Sequence, residues 1–225
     1  MIIVTGASRG IGLAICERLQ ELDMQVLGIA RCVDDLPFPA VACDVTNYEA
    51  LKIVSRDIRH AGTKVTALIN AAGIASMNLA LSTPPEVTTR LINVNLLGTI
   101  FTSQLFAPLM IREKVGHIIN FSTIAVSLSL KGESVYSASK AGVESFTKTL
   151  ARELWDFGIT VNCISPGPID TDLIRGVSQS QISKIVSAQI IQKQLATSDV
   201  ADLIEILLDE RSKNITGHIL HLGGV

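Results

Sequence analysis

Tyr136 and Lys140 stand four residues apart in the stretch Ser-Val-Tyr-Ser-Ala-Ser-Lys, residues 134–140. On a helix this spacing sets both side chains one turn apart on one face. A free phenol has a pKa of about 10 and exchanges protons poorly at neutral pH. An ammonium group within roughly 4–6 Å favours the phenolate and lowers that value. The pair is therefore a candidate for general acid–base chemistry. The same spacing also describes ordinary helix surface. What the pair means depends on what the rest of the chain places around it.

The N-terminus offers the second chemical signal. Residues 1–5 are apolar and read as a strand. The loop Gly6-Ala-Ser-Arg-Gly-Ile-Gly12 follows at once, and residues 13–22 then carry apolar side chains at helical spacing. Strand, glycine turn and helix form the context in which a glycine-rich loop binds a dinucleotide. Gly6 permits a tight turn, Gly10 lets a phosphate approach the backbone, and Gly12 lets helix and strand pack closely. The helix N-terminus offers free N–H groups to a pyrophosphate.

The next strand, residues 25–30, ends at Ala30-Arg31 with no carboxylate at its tip. A carboxylate there would suit the ribose hydroxyl of NAD, whereas arginine suits the 2′-phosphate of NADP. Arg9 and Arg31 are two candidate clamps for such a phosphate. Asp34 and Asp35 are close enough in sequence to leave NAD open.

The elements that must position these groups alternate along all 225 residues. The next strands are expected at 40–43, 65–69, 115–121, 159–164 and 217–222, and helices at 47–61, 86–112, 138–157 and 199–208. Thr46 is a candidate cap for the second helix, and Pro85 suits the first turn of the third. The connection 32–39, with Pro37 and Pro39, is too short for a crossover helix. Asn95 lies inside an apolar helix face, which predicts a kink or a bound water. Residues 171–195 read as a lid. Alternating strands and helices predict one α/β domain, a doubly wound parallel sheet of seven strands with helices on both faces.

Composition narrows the function classes. The chain is 48% hydrophobic with a mean hydropathy of +0.41, which suits a large core. No uninterrupted apolar run reaches about 18 residues. A net charge of −2 gives no electrostatic reason to expect nucleic acid or anionic membrane. Cys16, Cys32, Cys43 and Cys163 form no C-x-x-C pair and read as reduced core residues, and the four histidines lack metal-ligand spacing. No metal site is expected. The opening residues lack a basic stretch before an apolar one, and the expected setting is cytoplasmic.

These residues together resemble the short-chain dehydrogenases/reductases. The resemblance spans essentially the whole chain. Thr5–Gly12 resembles the family's glycine motif and Asp44 its adenine-side aspartate. Asn70-Ala71-Ala72-Gly73 resembles its Asn-Asn-Ala-Gly motif. Asn95 resembles its catalytic asparagine, and Tyr136/Lys140 its Tyr-x-x-x-Lys. Pro166 and Gly167 with Ile169 and Thr171 resemble the segment that holds the nicotinamide carboxamide.

The resemblance implies a Rossmann-type fold and hydride transfer between a nicotinamide and a carbonyl or secondary alcohol. It implies Tyr136 as proton donor and Lys140 as ribose holder and pKa modifier. Asn95 would position a water. Thr123 would act as the hydroxyl that meets the substrate oxygen, with Ser122 as its alternative. Gly6, Ser8, Arg9, Gly10, Ile11, Gly12, Arg31, Asp44, Val45 and residues 70–73 would bind the cofactor. Tyr136, Lys140, Pro166, Gly167, Ile169 and Thr171 would complete that set.

NADP(H) is the favoured cofactor and NAD(H) the alternative. The general pattern is nearest 3-oxoacyl-(acyl-carrier-protein) reductases. The alternatives are an NAD-dependent dihydrodiol or alcohol dehydrogenase, or a cofactor-binding sensor without turnover. The substrate would be a medium-sized, largely apolar ketone or alcohol held by residues such as Met77, Leu79, Leu128, Leu130, Val135, Ile174 and Val177. A homodimer or homotetramer is expected through the two long helices.

Overall fold

The computed structural model describes residues 1–225. Seven strands form one parallel sheet: β1 Ile2–Thr5, β2 Val26–Ala30, β3 Ala40–Ala42, β4 Ala67–Asn70, β5 Gly116–Phe121, β6 Ile159–Pro166 and β7 Ile219–Leu222. Their order is β3-β2-β1-β4-β5-β6-β7, and every neighbouring pair is parallel. The chain steps outward from β1 in one direction and from β4 in the other. The switch point lies between these two strands, where doubly wound sheets bind ligands at their C-terminal edges.

The strands read as near-continuous apolar runs because both faces are covered. The helices are α1 Gly10–Glu21, α2 Tyr48–His60, α3 Pro85–Ile92, α4 Gly98–Ile111, α5 Ile124–Leu128, α6 Ser134–Leu154, α7 Gln179–Ser187 and α8 Thr197–Leu208. On one face, Ile15 and Leu19 of α1 meet Val200, Ile204 and Leu207 of α8 over Val4 and Ile69. On the other, α2, α4 and α6 bury Leu51, Ile58, Phe106, Met110 and Leu154 over Ile3, Leu68 and Ile118.

A buried polar chain crosses the second face. Asn70 Nδ2 donates to Asn120 Oδ1 at 2.8 Å, and Asn120 Nδ2 donates to Thr147 Oγ1 at 2.9 Å. Thr102 Oγ1 donates to Asn70 Oδ1 at 2.7 Å. The network pins α4 and α6 to the ends of β4 and β5. Each amide would be costly to bury without these partners.

Several expectations need revision. Asn47, not Thr46, caps α2: its side chain accepts from the Ala50 N–H, while the Thr46 hydroxyl donates to Asp44 Oδ1. β6 runs two residues past the expected end because Pro166 still pairs with Leu222. The lid segment contains a regular helix, α7, closed by a capping box between Ser178 and Gln181. Cys32 is exposed at the exit of β2, whereas Cys16, Cys43 and Cys163 are buried.

The helix from Pro85 to Ile111 is long and apolar enough to cross a bilayer, although no such run was expected. Its apolarity has a local cause. Gly98, Thr99, Thr102, Ser103, Phe106, Ala107 and Met110 are buried inside the protein. The connection from β2 to β3 carries no helix, as its prolines require.

Candidate active site

The glycine loop joins β1 to α1 under the C-terminal edge of the sheet. Gly6 has φ +69°, and a Cβ there would lie 2.8 Å from the backbone of Ala72. The loop thus nests against the residues leaving β4, and Thr5 Oγ1 accepts from the Ala72 N–H at 3.1 Å. α1 starts at Arg9 with no side-chain cap and no acidic residue in its first turn. Its leading N–H groups meet no side-chain cap, as an anion site requires. Thr171 approaches Gly10 from the far side, 3.5 Å from where a Cβ would sit. These residues fit a dinucleotide phosphate held by backbone N–H groups.

Asn95 and Lys140 meet at Gly73. A Cβ at Gly73 would lie 3.4 Å from both Asn95 Oδ1 and Lys140 Nζ. Asn95 is fully buried in a π-helical turn, Asn93–Leu97, between α3 and α4. Its Oδ1 accepts from the Ile74 N–H at 2.9 Å, and its Nδ2 donates to the Ile74 carbonyl and to Ser139 Oγ. The wide turn supplies the irregularity expected at this residue, a place where π turns recur at functional sites.

Lys140 is 5% exposed, and its Nζ donates to the Phe121 carbonyl at 2.9 Å. Burial lowers its pKa to about 8. Tyr136, 7% exposed, packs with Leu91 and Ala125. Burial pushes its phenol up to about 12; Thr123 pulls it down through a hydrogen bond and Glu133 pushes it up. This reverses the direction expected from the pair. Among the protein's own groups, desolvation of the phenolate outweighs any help from Lys140, whose ammonium is turned toward Phe121.

The two adjacent hydroxyls have different surroundings. Thr123 caps α5 by accepting from the Ala125 N–H at 3.3 Å, and it faces Tyr136. Ser122 donates instead to Glu144 Oε1 at 2.6 Å.

The family described as short chain dehydrogenase matches residues 1–182. The chain belongs to that family. It is 33% identical over 232 residues to the 3-oxoacyl-(acyl-carrier-protein) reductase FabG of Vibrio cholerae, covering 99% of this chain and 95% of that protein. It is 34% identical to carbonyl reductase family member 4 of Xenopus tropicalis, covering 98% and 95%. Among solved structures, 4-hydroxyisoleucine dehydrogenase complexed with NADH and succinate superposes with a TM-score of 0.90 at 28% identity, covering 100% and 98%. ElxO with NADP bound gives 0.88 at 28% identity, covering 98% and 96%. This short-chain dehydrogenase is accordingly an oxidoreductase that works with a nicotinamide cofactor.

Other named residues of the dehydrogenase fall as follows. Ser8, Ile11, Ala71 and Ala72 lie along the glycine loop and the β4 exit, partly exposed. Asn70 was expected among the cofactor ligands, but its side chain is 2% exposed and committed to Asn120 and Thr102. Its role here is to hold the strand end. Asp44 is half-buried, with Oδ1 accepting from both the Thr46 N–H and its hydroxyl. Val45 is buried and packs against Gly98, where a Cβ would come within 2.8 Å of it.

Pro166, Gly167 and Ile169 follow β6, and Gly167 has no room for a side chain beside Gln189. Arg9 and Arg31 are both exposed, and Arg9 pairs with Asp172 at 3.5 Å. Sequence reading missed Ser139, Glu144 and Asp172. Glu144 had a legible signal, since it continues the four-residue spacing of Tyr136 and Lys140.

A cavity of about 670 Å³ opens at the opposite, N-terminal edge of the sheet beside Met24 and Trp155. It is remote from the glycine loop and holds none of the acid–base set.

Proposed function

We propose that this dehydrogenase is an NADP(H)-dependent reductase of a medium-sized, largely apolar ketone, with a 3-oxoacyl thioester as first candidate. The supporting observation is that Lys140 and Asn95 meet at Gly73 while Tyr136, one turn before Lys140 on α6, faces Thr123, all beside a loop able to hold a pyrophosphate. The names of the FabG and carbonyl reductase relatives support the direction of reaction.

When bound, a reduced nicotinamide would supply the hydride. Tyr136 gives its proton to the developing alkoxide; a phenol held neutral up to about 12 is loaded for donation. Thr123 accepts from the Ala125 N–H, and its hydroxyl would turn its proton toward the substrate oxygen. Lys140 and Asn95 meet at Gly73, where Lys140 would bind the ribose and Asn95 would hold the Ile74 backbone and a relay water. Gly6–Gly12, Asp44, Val45, the backbone of Asn70, residues 71–73, Pro166, Gly167, Ile169 and Thr171 would contact the cofactor.

Arg9 and Arg31 support the 2′-phosphate. The NAD reading has its own support: Asp172 already occupies Arg9, and Asp34 and Asp35 follow β2. Fluorescence titration with NADPH and NADH decides between them, with tighter NADPH binding expected and equal or tighter NADH binding overturning the choice. A panel of 3-oxoacyl thioesters, diketones and cyclic alcohols, followed by nicotinamide absorbance, identifies the substrate class. Tyr136→Phe should abolish turnover and leave cofactor affinity unchanged; retained turnover removes the proton-donor role. We also read the chain as a homodimer or homotetramer, which light scattering tests.

A further inference from the structure

Three consecutive residues at the end of β5, Phe121, Ser122 and Thr123, each meet α6 along a single stripe of that helix. The Phe121 carbonyl accepts from Lys140 Nζ at 2.9 Å. Ser122 Oγ donates to Glu144 Oε1 at 2.6 Å. The Thr123 hydroxyl faces the Tyr136 phenol and favours its ionised form. On α6 the partners Tyr136, Lys140 and Glu144 are four residues apart in turn, which places them on one face.

Two of these ties involve groups given chemical roles above. The tie between Ser122 and Glu144 involves neither the substrate nor the cofactor. Its length is that of a hydroxyl bonded to an ionised carboxylate, roughly twice as strong as a neutral bond. Ser122 is 4% exposed, and its N–H donates to the Ile164 carbonyl at 2.8 Å. Its backbone is thus fixed to β6 and its side chain to α6. The thiol pKa of Cys163, on β6, is raised to about 12 by burial, with Lys140 lowering and Glu144 raising it, so the two charged members of the stripe share one buried neighbour.

We propose that Glu144, acting through Ser122, is a positioning residue for the reaction. It holds the exit of β5 in register with α6, so that Lys140 meets the Phe121 carbonyl while Thr123 meets Tyr136. The inference rests on the roles proposed above for Tyr136, Lys140 and Thr123. It also explains why the adjacent hydroxyls are not interchangeable. The Ser122 proton is committed to Glu144, so Ser122 cannot donate it to a substrate oxygen without breaking that bond.

The test compares the full chain with Glu144→Gln, Glu144→Ala, Ser122→Ala and the Glu144→Ala/Ser122→Ala double variant. Each is assayed for kcat and KM with the panel substrate the wild type turns over fastest, for NADPH affinity by fluorescence, and for melting temperature. Glu144→Ala and Ser122→Ala should each lower kcat by about 10- to 100-fold, with KM and NADPH affinity unchanged. The double variant should be no slower than the slower single one, as for two members of one unit. Glu144→Gln keeps an acceptor oxygen and should recover part of the loss.

Wild-type kcat in Glu144→Ala and Ser122→Ala overturns the inference, as does a loss confined to melting temperature or two losses that simply multiply. If Glu144→Ala fails to fold, Ser122→Ala and Glu144→Gln carry the same comparison. A wild type inert toward the whole panel with both cofactors overturns the proposed function itself, and this inference with it. A working wild type matched by its variants overturns this inference alone.

Discussion

Lys140 Nζ lies 2.9 Å from the Phe121 carbonyl oxygen, so the buried ammonium is fixed to the backbone at the end of β5. The bond satisfies one of its three protons, and little else nearby stabilises the charge. Burial accordingly lowers the Lys140 pKa from 10.5 to about 8.

This has a signed consequence for stability. Between about pH 8 and 10.5 the unfolded chain holds a proton on Lys140 that the folded chain has released. Stability from this group therefore rises with pH across that window, by roughly 3 kcal/mol in all. Tyr136 acts oppositely. The folded chain keeps its phenol proton to about 12, against 10.0 when free, so its contribution is full below pH 10 and is lost as pH climbs beyond it. Lys140→Met keeps an apolar stem without the charge. Urea unfolding at stepped pH should show the rise in the wild type and not in the variant; parallel curves would contradict the assignment.

Thr123 and Ser122 separate by substitution. Thr123→Ser keeps the hydroxyl and should hold kcat within several-fold of the wild type. Thr123→Ala removes a donor aimed at developing charge and should lower kcat by about 10²–10³-fold. Steady-state rates with one substrate decide it. Equal rates for Thr123→Ala and wild type would return the role to Ser122.

Arg9 is shared. Its guanidinium contacts Asp172 at 3.5 Å, and the same Asp172 holds Arg175 at 2.7 Å. All three side chains are well exposed, so the pair itself adds little stability. A cofactor phosphate would compete with Asp172 for Arg9. Asp172→Asn should therefore tighten NADPH binding and leave NADH unchanged, whereas Arg9→Ala should weaken NADPH by about 10-fold or more. Both gaps should shrink in high salt. Identical effects on the two cofactors would show that Arg9 does not meet the 2′-phosphate.

Gly12 tests the loop by sterics alone. A Cβ there would lie 2.3 Å from the Gly6 carbonyl oxygen, a backbone atom that cannot swing aside. Gly12→Ala should push α1 away from β1, lower the melting temperature and weaken both cofactors together. Normal binding by both would show that the loop has slack the geometry does not suggest.

Seven strands and the glycine turn were legible because parallel strands buried on two faces are apolar throughout, and because Gly6 and Gly12 mark close backbone approaches. The nearness of Asn95 to Lys140 and of Thr123 to Tyr136 was also legible, through their resemblance to a known pattern. The direction of the Tyr136 pKa was not. Four-residue spacing says that two side chains share a helix face, but not that one ammonium turns toward Phe121 and one phenol sits beneath Leu91. The engagement of the Asn70 side chain was hidden for a related reason. Its place in a motif suggested a ligand contact, while its side chain points into a network whose other members, Thr102, Asn120 and Thr147, are far apart in sequence. Ser122 and Thr123 differ only through Glu144 and Ala125, and neighbours of that kind emerge only on folding.

The turn at Asn93–Leu97 carries one residue more than an α-helical turn, with the Gly98 N–H reaching back to the Asn93 carbonyl. An extra residue inside a helix is an insertion the fold can lose. A single-residue deletion there would let the segment relax to ordinary α-helix, rotating one flank by about 100° against the other. The result would still be helical by circular dichroism, yet Asn95 would leave Ile74 and Gly98 would leave Val45. Here the reading frame of a helix, rather than the identity of any side chain, sets where the amide points.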